Sequence, residues 1–105
     1  MRMTPTRKQL ELAAKAAGIK GFAGARGFWF IAEQRYWKPV TDKSDSRDLM
    51  VACEIELAFG DEEEVQAFGG NNSYAFAKIE DYNNDKGLAT CAAVFLCAVE
   101  IGRSL

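Results

Sequence analysis

From Arg7 onward the apolar positions fall at Leu10, Ala13, Ala14 and Ala17, the i, i+3, i+4, i+7 spacing of one helix face. Thr6 with Gln9 three residues on makes a capping box, and Gly18 is a natural stop. A helix is therefore predicted over 7–17, its small residues able to lie close to a sheet. A start at Thr4 with Pro5 as the first helical residue moves that boundary only slightly. The period then changes. Phe28 to Ala32 is a short aromatic run suited to a strand buried on both faces, and the glycines at 21, 24 and 27 before it suggest a hairpin. Pro39 biases Lys38 away from helical angles, so the chain stays extended to about Thr41.

Asp42 or Ser44 caps a second helix, with Asp45 and Asp48 in its first turns, where carboxylates complement the helix dipole. This helix is predicted to run to about Phe59 and stop at Gly60. Leu49, Met50, Cys53 and Leu57 line one face, and Val51, Ile55 and Ala58 line a second. Two strand-like segments, 65–68 and 73–82, flank Gly69-Gly70-Asn71-Asn72, the clearest hairpin signal in the chain. In the second of them Ala75, Ala77 and Ile79 alternate with Tyr74, Phe76, Lys78 and Glu80, which sets a small apolar face toward helices. A last helix, capped by Asn84 or Asp85, spans about 86–103. Leu88, Ala92, Phe95, Leu96 and Val99 form its core stripe, with Val94, Cys97 and Ile101 opposite.

The order of elements predicts an α+β fold, a small, mainly antiparallel sheet of three to four strands layered with three helices in the manner of an α/β/α sandwich. One domain is expected over 1–105, with residues 1–5 loosely ordered. Two helices apolar on both sides exceed what 105 residues are expected to enclose. A homo-oligomer, most simply a dimer, is therefore predicted through Val51, Ile55, Val94, Cys97 and Ile101.

Composition narrows the chemistry. Hydrophobic residues make up 49% and charged residues 27%, a folded globular balance. The opening residues do not read as a leader, and the longest uncharged run, 87–99, falls short of the roughly 20 residues needed to span a bilayer. A cytoplasmic protein with no membrane partner is expected. Histidine is absent, which removes the usual general base and the commonest metal ligand. Cys53, Cys91 and Cys97 form no Cys-x-x-Cys pair and read as buried free thiols. No catalysis, cofactor or metal is expected.

Some motifs come near to chemistry. Asp81 to Gly87 begins like a calcium loop, but the glycine bend and the closing glutamate are missing. Asp42, Asp45 and Asp48 recur every three residues, a low-probability route to magnesium-dependent activity that capping explains more simply. The glycines at 21, 24 and 27 with Arg26 match no phosphate-binding fingerprint. Charge is segregated: residues 1–40 carry eight basic and two acidic side chains, and residues 41–105 carry five and thirteen, net +6 and −8. Basic residues interleaved with Phe22, Phe28, Trp29 and Trp37 raise an alternative function, nucleic-acid binding, with Arg7, Lys8 and Arg26 as anion-binding residues. The bland reading is favoured: aromatics in the core and a basic face meeting the acidic half.

Trp37-x-Pro39-x-Thr41-Asp42, the acidic helix start after it, and Ala98-Val99-Glu100-Ile101-Gly102-Arg103 resemble small proteins of tailed phages and prophages described as having a phage ABA-sandwich domain. The resemblance covers about residues 6–103 and implies an α/β/α layered unit with no established biochemical activity. Lys43 and Ser44 separate Asp42 from Asp45, where that family has an acidic pair closer behind the turn. The resulting expectation is a phage- or prophage-encoded accessory protein in the host cytoplasm, acting by self-association and by binding a host or phage protein. Trp37, Pro39, Thr41, Asp42 and Asp45 form its structural corner and binding surface.

Overall fold

In the computed structural model, which describes residues 4–61, 63–70 and 72–105, the first helix, α1, spans Arg7–Ala17, the range its caps predict. The Thr6 hydroxyl accepts from the Gln9 N–H at 3.1 Å, and the Gln9 side chain accepts from the Thr6 N–H at 2.9 Å. Gly18 closes the helix at φ 71°, a left-handed conformation that costs glycine nothing.

The chain then forms an antiparallel sheet, β1 (Gly21–Gly24), β2 (Gly27–Phe30) and β3 (Arg35–Trp37), in sequential order. The first hairpin turns at Ala25-Arg26, as the glycines suggest. Its register places Ala23, Phe28 and Trp37 in one cross-strand row and Phe22, Trp29 and Tyr36 in the next, so the two rows point to opposite faces. Phe28 and Trp37 are buried edge to face, with ring centroids 5.6 Å apart. The run 28–32 is therefore buried on one face rather than both, because α1 covers only one side of β1 and β2. Ile31, past the strand end, is exposed.

The second helix, α2, is Lys43–Ala52, shorter than the helix to Phe59 that the sequence predicts. Glu54 adopts φ 53°, and the Ile55 N–H donates to the Met50 carbonyl at 2.9 Å, a Schellman closure made without glycine. Beyond it, Glu56–Asp61 is β4, where ladder hydrogen bonds to β5 (Glu64–Phe68) replace those of a further helical turn. β6 (Tyr74–Lys78) completes a second antiparallel sheet in the order β4-β5-β6. Between β5 and β6 the Gly69 N–H donates to the Ser73 carbonyl at 2.9 Å; Asn71 of the predicted turn lies outside the described residues. The alternation of the β6 region is as predicted: Ala77 and Ile79 are buried, while Tyr74, Phe76 and Lys78 are exposed. Ile79–Tyr82 is a 3-10 turn rather than strand, and α3 (Lys86–Arg103) follows, capped by the Asp85 carboxylate.

α3 is the axis of the molecule. It packs against α1, α2, β5 and β6, and ten of its residues are buried. α1 and α3 lie so close that a Cβ on Gly102 would stand 2.1 Å from the Leu12 carbonyl oxygen. Contacts run from the first sheet to α1, from α1 to α3, and from α3 to the second sheet. The α+β class with three helices and antiparallel strands is thus present, its strands divided between two three-stranded sheets on different helices. Enclosure is more complete than the apolar faces of the sequence suggest. Val94 is 1% exposed, Cys97 0% and Ile55 6%, all covered by the same chain. Ile101 packs half-buried against the core, and of the five expected oligomer-contact residues Val51, at 67%, is the one left open.

Candidate binding site

The corner after β3 is built around one ion pair. Arg35 ends the Ile31–Gln34 turn, and its guanidinium reaches Asp45 on α2 through both terminal nitrogens, at 2.9 and 2.6 Å. Asp45 is 2% exposed and also accepts from the Lys38 N–H at 2.8 Å. Burial pushes its carboxyl up, but the Arg35 hydrogen bonds and the Lys38 N–H outweigh burial and hold it below the usual carboxylate range. Arg35 is in turn raised above its ordinary value by Asp45 first and then by Glu33, which binds Nε at 2.7 Å. Asp42 caps α2, accepting from the N–H groups of Ser44 and Asp45. Pro39, Trp37 and Val40 are buried beside it, and Thr41 is exposed.

The predicted binding residues of this corner are thus mostly interior. Trp37, Pro39 and Asp45 hold the corner together, Asp42 caps a helix, and Thr41 alone is an exposed, uncommitted side chain. Nor do Asp42, Asp45 and Asp48 converge as a magnesium cluster. Asp45 turns inward to Arg35 and Asp42 to backbone amides, and among the described residues no group of three potential ligands gathers.

What the corner supports is the outer face of the first sheet. Phe22, Trp29 and Tyr36 form a cross-strand row there, with the Trp29 and Tyr36 rings edge to face at 5.2 Å. Phe22 is 61% exposed. The row lines a cleft of about 240 Å³ that includes Arg26 from the β1–β2 turn and contains no carboxylate. Lys20 and Lys38, just outside the ends of β1 and β3, are exposed and line no part of the cleft. Arg7 and Lys8 are exposed at the start of α1 and line no part of this cleft.

A second aromatic face lies on the other sheet. Phe68, Tyr74 and Phe76 are exposed on the side away from α3, their successive centroids 5.1 and 6.2 Å apart. Glu56 pairs with Phe68 and Glu64 with Lys78 on this face, two carboxylates against one ammonium. The sequence separates Tyr74 and Phe76 from the core correctly, but the row of Phe22, Trp29 and Tyr36 needs the register of two hairpins. Its only linear trace is the two-residue turn at Ala25-Arg26, which sets Phe22 opposite Trp29. The partner of Asp45, ten residues upstream, leaves no trace at all.

Against known proteins, the chain matches no family model, no curated protein and no solved structure. Among the described residues, no helix is long and apolar enough to cross a membrane.

Proposed function

We propose that the chain is a non-catalytic binding protein that associates head to tail, the basic aromatic face of the first sheet in one copy meeting the acidic aromatic face of the second sheet in another. The observation that carries this reading is a pair of outward aromatic rows, Phe22 and Tyr36 exposed about a half-buried Trp29 beside Arg26 on one sheet, and Phe68, Tyr74 and Phe76 exposed beside Glu56, Glu64 and Lys78 on the other. Opposed charge steers such an encounter, and aromatic rings supply contact area at low entropic cost. The contact is heterologous, so it closes only as a ring and otherwise extends. This replaces the helix faces as the association surface, because those faces are covered within one copy. Following the resemblance of the Trp37–Asp42 corner, we read the chain as an accessory protein of a tailed phage or prophage, acting in the host cytoplasm, to which a host or phage protein can offer an equivalent face.

Light scattering tests the assembly. The mass is expected to rise with concentration and fall with added salt. Trp29→Ser and Phe76→Ser each give a monomer alone, while an equal mixture of the two gives a dimer, since each variant retains the face the other lacks. A wild-type monomer at high concentration in low salt overturns the reading, as does a mixture that stays monomeric.

A second reading, single-stranded nucleic acid on the first sheet, is favoured by the position of Arg26 inside the aromatic cleft. Bases stack on such rows, and affinity then falls steeply with salt. Quenching of Trp29 by oligothymidine, weakened by Arg26→Glu, tests it; quenching that salt leaves unchanged rejects it.

A further inference from the structure

The groove between α2 and α3 differs in chemistry from both sheet faces. Positions 43, 46, 47 and 50 share one face of α2, and positions 87, 90, 91 and 94 share one face of α3, each at i, i+3, i+4, i+7 spacing. The two faces line a cleft of about 260 Å³, to which β4 contributes Leu57. This is smaller than the roughly 300–1,000 Å³ of sites for drug-sized ligands, so its occupant is small.

The cleft combines an apolar lining with cations. Met50, Leu57, Cys91 and Val94 line its apolar part. Lys43 and Arg47 bring the cations, both exposed and neither in an ion pair among the described residues. Lys43 reaches across to α3, its Nζ 3.1 Å from where a Cβ on Gly87 would stand. The Asp85 carboxylate, which accepts from the Leu88 N–H at 3.1 Å, stands 3.2 Å from the same point and keeps its negative charge, so the head group is set toward the Arg47 end of the cleft. Ser46 also lines the cleft. As a residue it is 5% exposed. The Thr90 hydroxyl donates to the Lys86 carbonyl at 2.7 Å and keeps its lone pairs free.

Two cations outside any ion pair, a serine at the cleft wall and an apolar lining complement one kind of molecule, a negative head on a short hydrocarbon tail. We propose that this cleft binds a small amphipathic organic anion, its carboxylate or phosphate head held by Lys43, Arg47 and Ser46 and its tail against Met50, Leu57 and Val94. The site is independent of the association surfaces on the two sheets.

Titrations of the full chain with hexanoate, hexyl phosphate, hexanol and inorganic phosphate, followed by amide NMR, test this. One or both amphiphiles are expected to shift the amides of Ser46, Gly87 and Thr90 saturably at millimolar concentration. Hexanol and inorganic phosphate, each offering half of the chemistry, bind about tenfold more weakly. The stronger of the two amphiphiles identifies the head group. Lys43→Gln with Arg47→Gln, at exposed positions where the thermal midpoint without ligand stays unchanged, weakens binding about tenfold or more. Trp29→Ser leaves it as it was. Amphiphiles that fail to move these amides, or a double variant that binds like the wild type, overturn the proposal.

Discussion

Arg35 and Asp45 meet through two hydrogen bonds of 2.9 and 2.6 Å across the turn that joins the first sheet to α2, and the carboxylate is buried while the guanidinium is partly open to water. Removing one member of such a pair leaves a charge without compensation, whereas replacing both with apolar groups removes the desolvation penalty as well. Arg35→Ala is expected to destabilise the chain by about 2–3 kcal/mol, the partial exposure of the arginine keeping the loss at the low end. The double variant Arg35→Met, Asp45→Leu recovers most of that loss in urea unfolding.

The same pair fixes an acid limit. Asp45 is held below its unfolded value, so its contribution is complete above the ordinary carboxylate range near 4 and is lost as pH falls from there through the folded value. Thermal midpoints measured downward from pH 5 should fall for the wild type and flatten for Asp45→Asn, which starts from a lower midpoint.

At the alkaline end the thiols act in the opposite sense. Burial pushes Cys97 up to about 11, with Cys53 and Glu100 adding to it, and raises Cys53 as well. Below the unfolded thiol value their contribution is complete; above it the unfolded chain releases protons that the folded chain keeps, and stability declines as pH rises toward 11. Cys97→Ala should reduce that decline, at some cost in packing. In the native protein, the Cys97 thiol should react with a disulfide reagent far more slowly than in urea.

Gly102 sets how closely α1 approaches α3. Gly102→Ala places a methyl group against the Leu12 backbone, and the helices must separate. A loss of about 1–3 kcal/mol is expected by the usual cost of overpacking, where Gly24→Ala, with open space around it, changes little.

Local signals reached as far as local forces do. The ends of α1 were legible because Thr6, Gln9 and Gly18 act within a few residues of one another, and α3 because Asp85 caps a long run of helix formers. The predicted α2 extends past Ala52 because 53–59 keeps a helical apolar spacing, and only pairing with β5 makes Glu56–Asp61 a strand. The division into two sheets was invisible for the same reason: it depends on which helix each hairpin meets. The apolar excess of the last helix is taken up within one copy, because α1, α2 and β5–β6 pack around α3. The corner was legible as a turn, through Pro39 and Asp42, but not as an ion pair, since no rule of spacing links Arg35 to Asp45.

α3 carries the surfaces on which α1, α2 and the second sheet rest, and it follows all of them in chain order. The first sheet finds α1 already made, whereas α1, α2 and the second sheet each precede the helix that covers them. A chain cut short before α3 is therefore expected to lack a folded core, which circular dichroism and proteolysis of a 1–85 fragment would check.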